Sequence, residues 1–563
     1  MGLLQRPPPT LALLLLAALL AAALAQPVHA FSNVPWQKQA VYQLLTDRFA
    51  APQAMPGSRG QQCGSLSNYC GGTWRGMLQQ LRYIQGLNLN AIWSSPIAVQ
   101  PYGGYHGYWP TDLYDVNPSF GTPGDLQHVL QQLADQGMKH ILDVVMNHVG
   151  YGSSVFLPAF NPFSDPSNFH NCTLAGCDPD CNIPADNPTY DQQWHCQLSG
   201  LPDLNQSIPY VREMFADYIQ WILSQYSVHM LRLDAAGSID PDFFPYFMNF
   251  TTLPAWLEVG GKLQLHEQYE KVRGNASYSY QSWVIYNAAS ACFALSPTSD
   301  EGDEGCLQIS QSRSTLMSYG VEMGGVGYWV ENHDTDRFLS TRASLPAYRN
   351  ALAFILLAEG IPIIYYGAEQ GMTGLTIDNT NRWPLWEVGY DNTNPLYTHI
   401  RTLAWYRWWM NLGNKSFTEH YMDRRTYTFS RGSDMVVVLT NGNYSEAVPR
   451  PAAYNLSGLA SFAGDTLCDA LRSGYCVEVS EEGVALVQPS PTDEPLLLVH
   501  NNWVHSDTFF IMLHNRPVLW QQGLIVTFST LCGALLLWFA VGYGIQYYRT
   551  GSIHPAQDLS ASC

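Results

Sequence analysis

From Val41 to about Gly367, short apolar runs alternate with stretches whose apolar residues recur every three or four positions. The runs Ala40–Leu45, Leu89–Trp93, His140–Val145, His229–Leu233, Ala255–Val259, Tyr328–Val330 and Ile361–Tyr365 read as strands. Trp74–Gln85, Asp125–Gln136, Val211–Ser224 and Leu345–Leu357 read as amphipathic helices between them. Strand–helix alternation predicts a parallel sheet, and seven or eight such units in one stretch suit a closed (β/α)8 TIM barrel better than an open sheet. The barrel is expected over 31–147 and 201–410. Between them, 148–200 loses the alternation and fills with Pro, Asn, Asp and Cys. It is too long for a plain loop and reads as an inserted small domain. Short alternating segments over 411–500, such as Thr426–Ser430, Met435–Leu439 and Leu496–Val499, predict a C-terminal antiparallel β-sandwich.

The two ends carry a different pattern. Arg6 precedes an uncharged apolar run, Leu11–Leu24, with small residues at Ala23, Ala25, Val28 and Ala30, the layout of a secretory signal peptide over 1–30. After a linker over 501–522, Gly523–Ile545 is 23 residues without a charge, enough at 1.5 Å per residue to cross a bilayer. Trp520, Tyr543, Tyr547 and Tyr548 stand near its ends as interfacial aromatics do. A polar tail, 546–563, follows it, which argues against a glycolipid anchor. The expectation is a single-pass type I membrane protein of the secretory pathway, with its catalytic domain extracellular or lumenal.

Ten of the twelve cysteines lie outside the apolar span and the tail, and an even number in an exported chain reads as disulfides. The group Cys172, Cys177, Cys181 and Cys196, with His170 and His195 nearby, also has the composition of a zinc site. Seven N-x-S/T sequons agree with export. Charged residues are scarce at 13%, and aromatics reach 13% with 17 Trp and 33 Tyr, which excludes a largely disordered chain. The net charge of −19 excludes a nucleic-acid binder and favours neutral polymers or cations as partners.

Barrel enzymes work at the C-terminal ends of their strands, and four expected strands end in charge. These are Asp143–His148, Leu231–Asp234, Trp256–Glu258 and Glu331–Asp334. Alternation puts Arg232 and Asp234 on one face, where the guanidinium is expected to keep Asp234 ionised. Glu258 follows an apolar run, so desolvation is expected to favour its protonated form. One ionised and one protonated carboxyl is the pair that glycoside cleavage needs.

With these motifs in order, the chain resembles the calcium-dependent α-amylases of the retaining starch-hydrolase family, closest to the secreted fungal type. Tyr105-His106-Gly107-Tyr108-Trp109, Asp143–His148, Leu201–Leu204, Arg232–Asp234, Asp242–Pro245, Glu331–Asp334, Gly360–Gln370 and Asp378–Arg382 carry the resemblance. It implies Asp234 as nucleophile, Glu258 as acid and then base, and Asp334 as stabiliser of the transition state. Substrate contacts are implied for His106, Tyr108, Trp109, His148, Arg232, His333, Asp378 and Arg382. Calcium ligands are implied at Asn147, Asp203 and the backbone carbonyl of Ser238. The family's further Glu ligand falls at Trp194, with Asp191 or Gln193 as substitutes. By the same analogy Cys63–Cys70, Cys292–Cys306 and Cys468–Cys476 pair, and the inserted domain's pairing stays open. The family's Lys-His after the nucleophile motif is Gly237-Ser238 here.

The resemblance implies endo-acting, retaining hydrolysis of α-1,4-glucosidic bonds in starch, glycogen or maltooligosaccharides, and the apolar span Gly523–Ile545 adds a membrane anchor to what is expected to be a monomer. Two alternatives remain open. One is a transglycosylase or oligosaccharide-specific α-glucosidase on the same barrel. The other is a non-catalytic membrane-bound carbohydrate-binding subunit.

Overall fold

A computed structural model describes residues 36–52, 63–150, 160–294, 304–442, 453–472 and 474–504. The expected signal peptide and the Gly523–Ile545 span lie outside the described residues. Among the described residues, no helix is long and apolar enough to cross a membrane.

Eight parallel strands close a barrel in chain order: Val41–Gln43, Ala91–Trp93, Lys139–Val145, Met230–Asp234, Ala255–Val259, Tyr278–Ser282, Gly327–Tyr328 and Ile361–Tyr365. The last returns to the first, with Val41 opposite Ile363 and Gln43 opposite Tyr365. Val41, Trp93, Ile141, Trp256, Trp329 and Ile363 belong to one buried cluster of the barrel. The sixth strand, Tyr-Ser-Tyr-Gln-Ser, is absent from the apolar runs of the sequence. It is polar because Gln281, fully buried, accepts a hydrogen bond from Arg232 Nε at 3.1 Å. The expected helix Trp74–Gln85 is two, Trp74–Gln79 and Leu81–Gly86, meeting at Gln80. The expected strand Tyr328–Val330 stops at Tyr328, which frees the following residues to form a loop over the barrel mouth.

Thr122 caps the helix Pro123–Asp135 through a reciprocal capping box with Asp125, and Pro123 fits its first turn. The helix Leu345–Leu357 ends against two guanidinium groups. Arg407 Nη1 donates to the carbonyls of Leu356 and Ala358 at 3.1 Å each, and Arg431 Nη1 to that of Leu357 at 2.6 Å. Cations there satisfy carbonyls left open at a helix C-terminus. Arg431 lies on the C-terminal sheet, so this contact also ties sheet to barrel. That sheet has six antiparallel strands in the order Phe417–Met422, Thr426–Arg431, Met435–Thr440, Leu496–His500, Thr466–Asp469, Cys476–Glu478, beside a two-stranded ladder of Tyr454–Leu456 and Ala485–Val487.

In the segment between the third strand and Leu201, the described residues include short helices, Cys172–Ala175 and Tyr190–His195. Its cysteines form two disulfides, Cys172–Cys181 and Cys177–Cys196, which removes the zinc reading of that cluster. Cys63–Cys70, Cys292–Cys306 and Cys468–Cys476 are also bonded.

Candidate active site

Arg232 is the centre of the site. It is fully buried, and three carboxylates from three strands reach it. Its Nη1 donates to Asp234 Oδ1 at 2.6 Å and to Asp143 Oδ1 at 3.0 Å. Its Nη2 lies 2.6 Å from Glu258 Oε2, a charge contact whose angle is not that of a hydrogen bond. Asp143 also accepts the Trp93 indole N–H at 2.9 Å and the Tyr108 hydroxyl at 2.7 Å.

One cation among three carboxylates, two of them buried and Glu258 partly so, leaves surplus negative charge. Burial raises Asp234 well above the usual carboxylate range; Arg232 opposes the rise, while Glu258 and Asp143 add to it. Asp143 is raised by burial too, against the pull of Arg232 and Tyr108. The expectation that Arg232 keeps Asp234 ionised is met by an opposing effect, since burial and the neighbouring carboxylates outweigh the guanidinium. The guanidinium is divided among three partners, and its pull on Asp234 opposes but does not cancel the rise from burial.

Glu258 was expected in apolar surroundings, and its surroundings are polar. Oε2 accepts the Ala235 backbone N–H at 2.9 Å and Oε1 the Trp283 indole N–H at 3.3 Å. Ala235 takes a left-handed conformation, φ 48°, which turns the chain just after Asp234. That turn aims its N–H at Glu258 and couples the two carboxylates through one backbone step.

Asp334 stands at the rim with its side chain 38% exposed. His333 Nε2 is 3.0 Å from its Oδ2 and Arg382 Nη2 3.1 Å from its Oδ1. Desolvation pushes this carboxyl up, but His333, Arg382 and Arg232 outweigh it and hold it well below the usual range. Gln43 Nε2 lies 3.0 Å from His333 Nδ1, which assigns the ring proton to Nε2, facing Asp334. The His333 ring lies parallel to Tyr108, centroids 4.9 Å apart and planes 2° apart.

His148 Nε2 lies 3.0 Å from the Tyr108 carbonyl, and burial lowers the ring to about 4. His106 is lowered to about 3 by burial, then by Arg382; its Nδ1 accepts the Tyr108 N–H, and its ring meets Trp109 edge-on at 4.5 Å. Arg382 Nη1 donates to the Tyr105 hydroxyl at 3.1 Å. Asp378 is the expected substrate residue that these contacts do not reach. It is exposed and caps the Thr380–Arg382 turn by accepting from Thr380 N and Oγ1.

The expected calcium residues separate into two groups. Asn147 and Asp203 are buried on chains that bridge at His148 and Asp203. Asn147 Oδ1 and Asp203 Oδ1 accept no hydrogen bond, and two orphaned buried oxygens are what a hard cation would satisfy. The other Asp203 oxygen lies 2.6 Å from His170 Nδ1. Asp191, by contrast, is a 64% exposed side chain paired with His195 at 2.9 Å, on the outer face of its helix. Gln193 is better placed, its Nε2 donating to Ser238 Oγ at 3.2 Å. Among the described residues, no group of three or more His, Cys, Asp or Glu side chains could hold a metal ion.

Gly237 is not an open slot left by a missing lysine. A Cβ there would lie 3.1 Å from Gly260 N and 3.3 Å from Val259 Cα. The neighbouring helix Tyr190–His195 reaches the same turn through Gln193, whose Nε2 donates to Ser238 Oγ.

Sequence reasoning placed Asp143 in a charged strand end but gave it no role, and did not assign Trp283, Gln43 or Gln281 to the site. Asp143 carried a signal, a charge inside the apolar run His140–Val145. Trp283, at the N-terminus of a helix, carried none.

Buried acids converging at the mouth of a (β/α)8 barrel, beside parallel aromatic and imidazole rings, define a glycoside hydrolase. Within that class the chain belongs to the alpha-amylase family, whose catalytic domain matches residues 43–277 and 306–394. It is 34% identical to alpha-amylase 2 of Schwanniomyces occidentalis over 69% of this chain and 75% of that one. It is 33% identical to the alpha-amylase of Saccharomycopsis fibuligera over 68% and 76%. A solved alpha-amylase from Malbranchea cinnamomea superposes with a TM-score of 0.73 at 29% identity, over 83% of this chain and 97% of that one.

Proposed function

We propose that this glycoside hydrolase cleaves internal α-1,4-glucosidic bonds of starch-like glucans with retention at the anomeric carbon. The observation that carries the reading is the shared guanidinium: Asp234 and Glu258 contact the two terminal nitrogens of Arg232. Carboxyls so held suit the short ~5–5.5 Å separation of the retaining route rather than the wider gap that admits a water.

In that route Asp234 attacks the anomeric carbon as Glu258 passes a proton to the leaving oxygen. A glycosyl-enzyme forms, and Glu258 then takes a proton from the incoming water. The attack requires ionised Asp234 and protonated Glu258. Asp334, held anionic, accepts ring hydroxyls and stabilises the developing positive charge. Tyr108, His148 and His333 are the sugar contacts that the family resemblance implies, and a sugar hydroxyl reaching either histidine exchanges for a partner it holds at rest, the Tyr108 carbonyl at His148 Nε2 or Asp334 at His333 Nε2. His106 and Trp109 buttress Tyr108.

A calcium ion would be held by the orphaned oxygens of Asn147 and Asp203, with the Ser238 carbonyl as the further donor that the family resemblance implies. When bound it supplies structural cross-linking between the barrel and the inserted segment. The signal peptide and the Gly523–Ile545 span support a membrane-anchored enzyme facing the lumen or exterior.

Release of reducing ends from soluble starch, with the first-formed anomer read by proton NMR, tests the reading. α-Anomeric products are expected, and β-anomers refute retention. Truncation after Asn502 is expected to move activity from the membrane fraction to the supernatant.

A further inference from the structure

Four large apolar side chains stand exposed within one short stretch beyond the catalytic cluster: Leu375 at 40%, Ile377 at 90%, Trp383 at 38% and Val388 at 49%. Two of them, Trp383 and Val388, line an open cavity of about 450 Å³ together with Gln370, Met372, Thr373 and Thr380. The size falls within the range of small-ligand sites, ~300–1,000 Å³. None of its lining side chains is ionisable. A concentrated apolar patch rimmed by hydroxyls and amides marks a binding surface more often than scattered exposure does.

We propose that this cavity is a second glucan-binding site, in which the Trp383 indole stacks on a sugar ring of a chain running out of the cleft. The inference rests on the α-glucan reading of the catalytic site. Continuity with that site carries it. Arg382 and Trp383 are adjacent but diverge. Arg382 turns inward to the His333 carbonyl at 2.8 Å and to Asp334, while Trp383 faces the cavity. Asn381 Nδ2 donates to the carbonyls of His333 and Thr335 at 2.9 Å each, and Thr376 N to Asp336 Oδ1 at 2.7 Å. One loop is thus riveted to the catalytic motif on its inner side and presents the patch on its outer side.

The chemistry favours a neutral carbohydrate. A glucose ring has an apolar face of C–H bonds for the indole and an equatorial rim of hydroxyls for threonines and a glutamine. A lipid surface would call for cationic residues around the apolar ones. No lysine occurs between Gln370 and Val388, and the single arginine there, Arg382, is turned inward.

The test compares the full-length wild-type chain with Trp383→Ala and Trp383→Phe. Retardation in gels containing soluble amylose reads binding of long chains, and turnover of maltotetraose reads the cleft alone. Trp383→Ala is expected to weaken amylose retention about tenfold and leave maltotetraose turnover within about twofold, with Trp383→Phe recovering most of the loss. Unchanged amylose retention in Trp383→Ala overturns the inference, whatever else the patch then binds. A parallel loss on maltotetraose also overturns it, because Trp383 would then support the cleft. If the wild type leaves maltotetraose uncut, the hydrolase reading fails separately, and the retention difference still decides this site.

Discussion

The Trp283 indole nitrogen lies 3.3 Å from Glu258 Oε1, on the side of the carboxylate away from Arg232's contact with Oε2. Trp283 is itself wedged edge-on against Trp329, centroids 4.8 Å apart, so the indole is a fixed donor. It orients the group that protonates the leaving oxygen.

Trp283→Phe keeps the ring and removes the donor. A hydrogen bond to a charged group is worth ~1.5–3 kcal/mol, so kcat on starch is expected to fall about ten- to a hundred-fold with KM little changed. The readout that separates positioning from packing is α-maltosyl fluoride, whose leaving group needs no proton. Its turnover is expected to survive in Trp283→Phe. Equal losses on both substrates would assign Trp283 to the fold.

Asp234→Asn and Glu258→Gln are expected to lower kcat on starch by orders of magnitude, since neither amide can attack or donate as its acid does. The cluster adds a stability expectation. Asp234→Asn removes one of three carboxylates crowded on Arg232, so the melting temperature should hold or rise. Arg232→Met should do the reverse and lose ~3–5 kcal/mol, because it strands buried carboxylates. Denaturant unfolding measures both, and a destabilised Asp234→Asn would contradict the charge surplus.

Chelation is expected to lower the melting temperature, because a cation bound only by the folded state stabilises it. The shift should vanish in Asp203→Asn with Asn147→Ala, and persist in Asp191→Asn, whose carboxylate faces outward. Calcium titration followed by differential scanning fluorimetry distinguishes these, and loss of the shift in Asp191→Asn would return that residue to the site.

His140 gives a pH prediction clear of the catalytic groups. It is 1% exposed, and burial, then His229, lowers it to about 3. A folded pKa depressed below the unfolded ~6.5 means the unfolded chain binds the proton first. The stability that neutral His140 contributes is present above pH ~6.5 and is lost as pH falls toward the folded value. Relative to His140→Asn, the wild type should lose ~2–3 kcal/mol between pH 7 and 4.5. Urea unfolding across that range measures it, and a constant difference would rule the titration out.

Period and chain order determined the barrel. Seven of the eight strands are legible because buried parallel strands are continuous apolar runs, and the carboxylates Asp234 and Glu258 stand out as charges at the ends of such runs. The sixth strand escaped because its burial is polar, with Gln281 answering Arg232 across the barrel. That the cysteines pair was legible from their number, whereas the pairings Cys172–Cys181 and Cys177–Cys196 were not, because pairing depends on which loops meet. Charge state was the other thing left to tertiary structure. The sequence offers Arg232 two residues from Asp234 and makes them look like a private pair. Closing the barrel brings Asp143 and Glu258 from neighbouring strands onto the same guanidinium. Coulomb energies and desolvation depend on distances through space, and residues far apart in the chain set them.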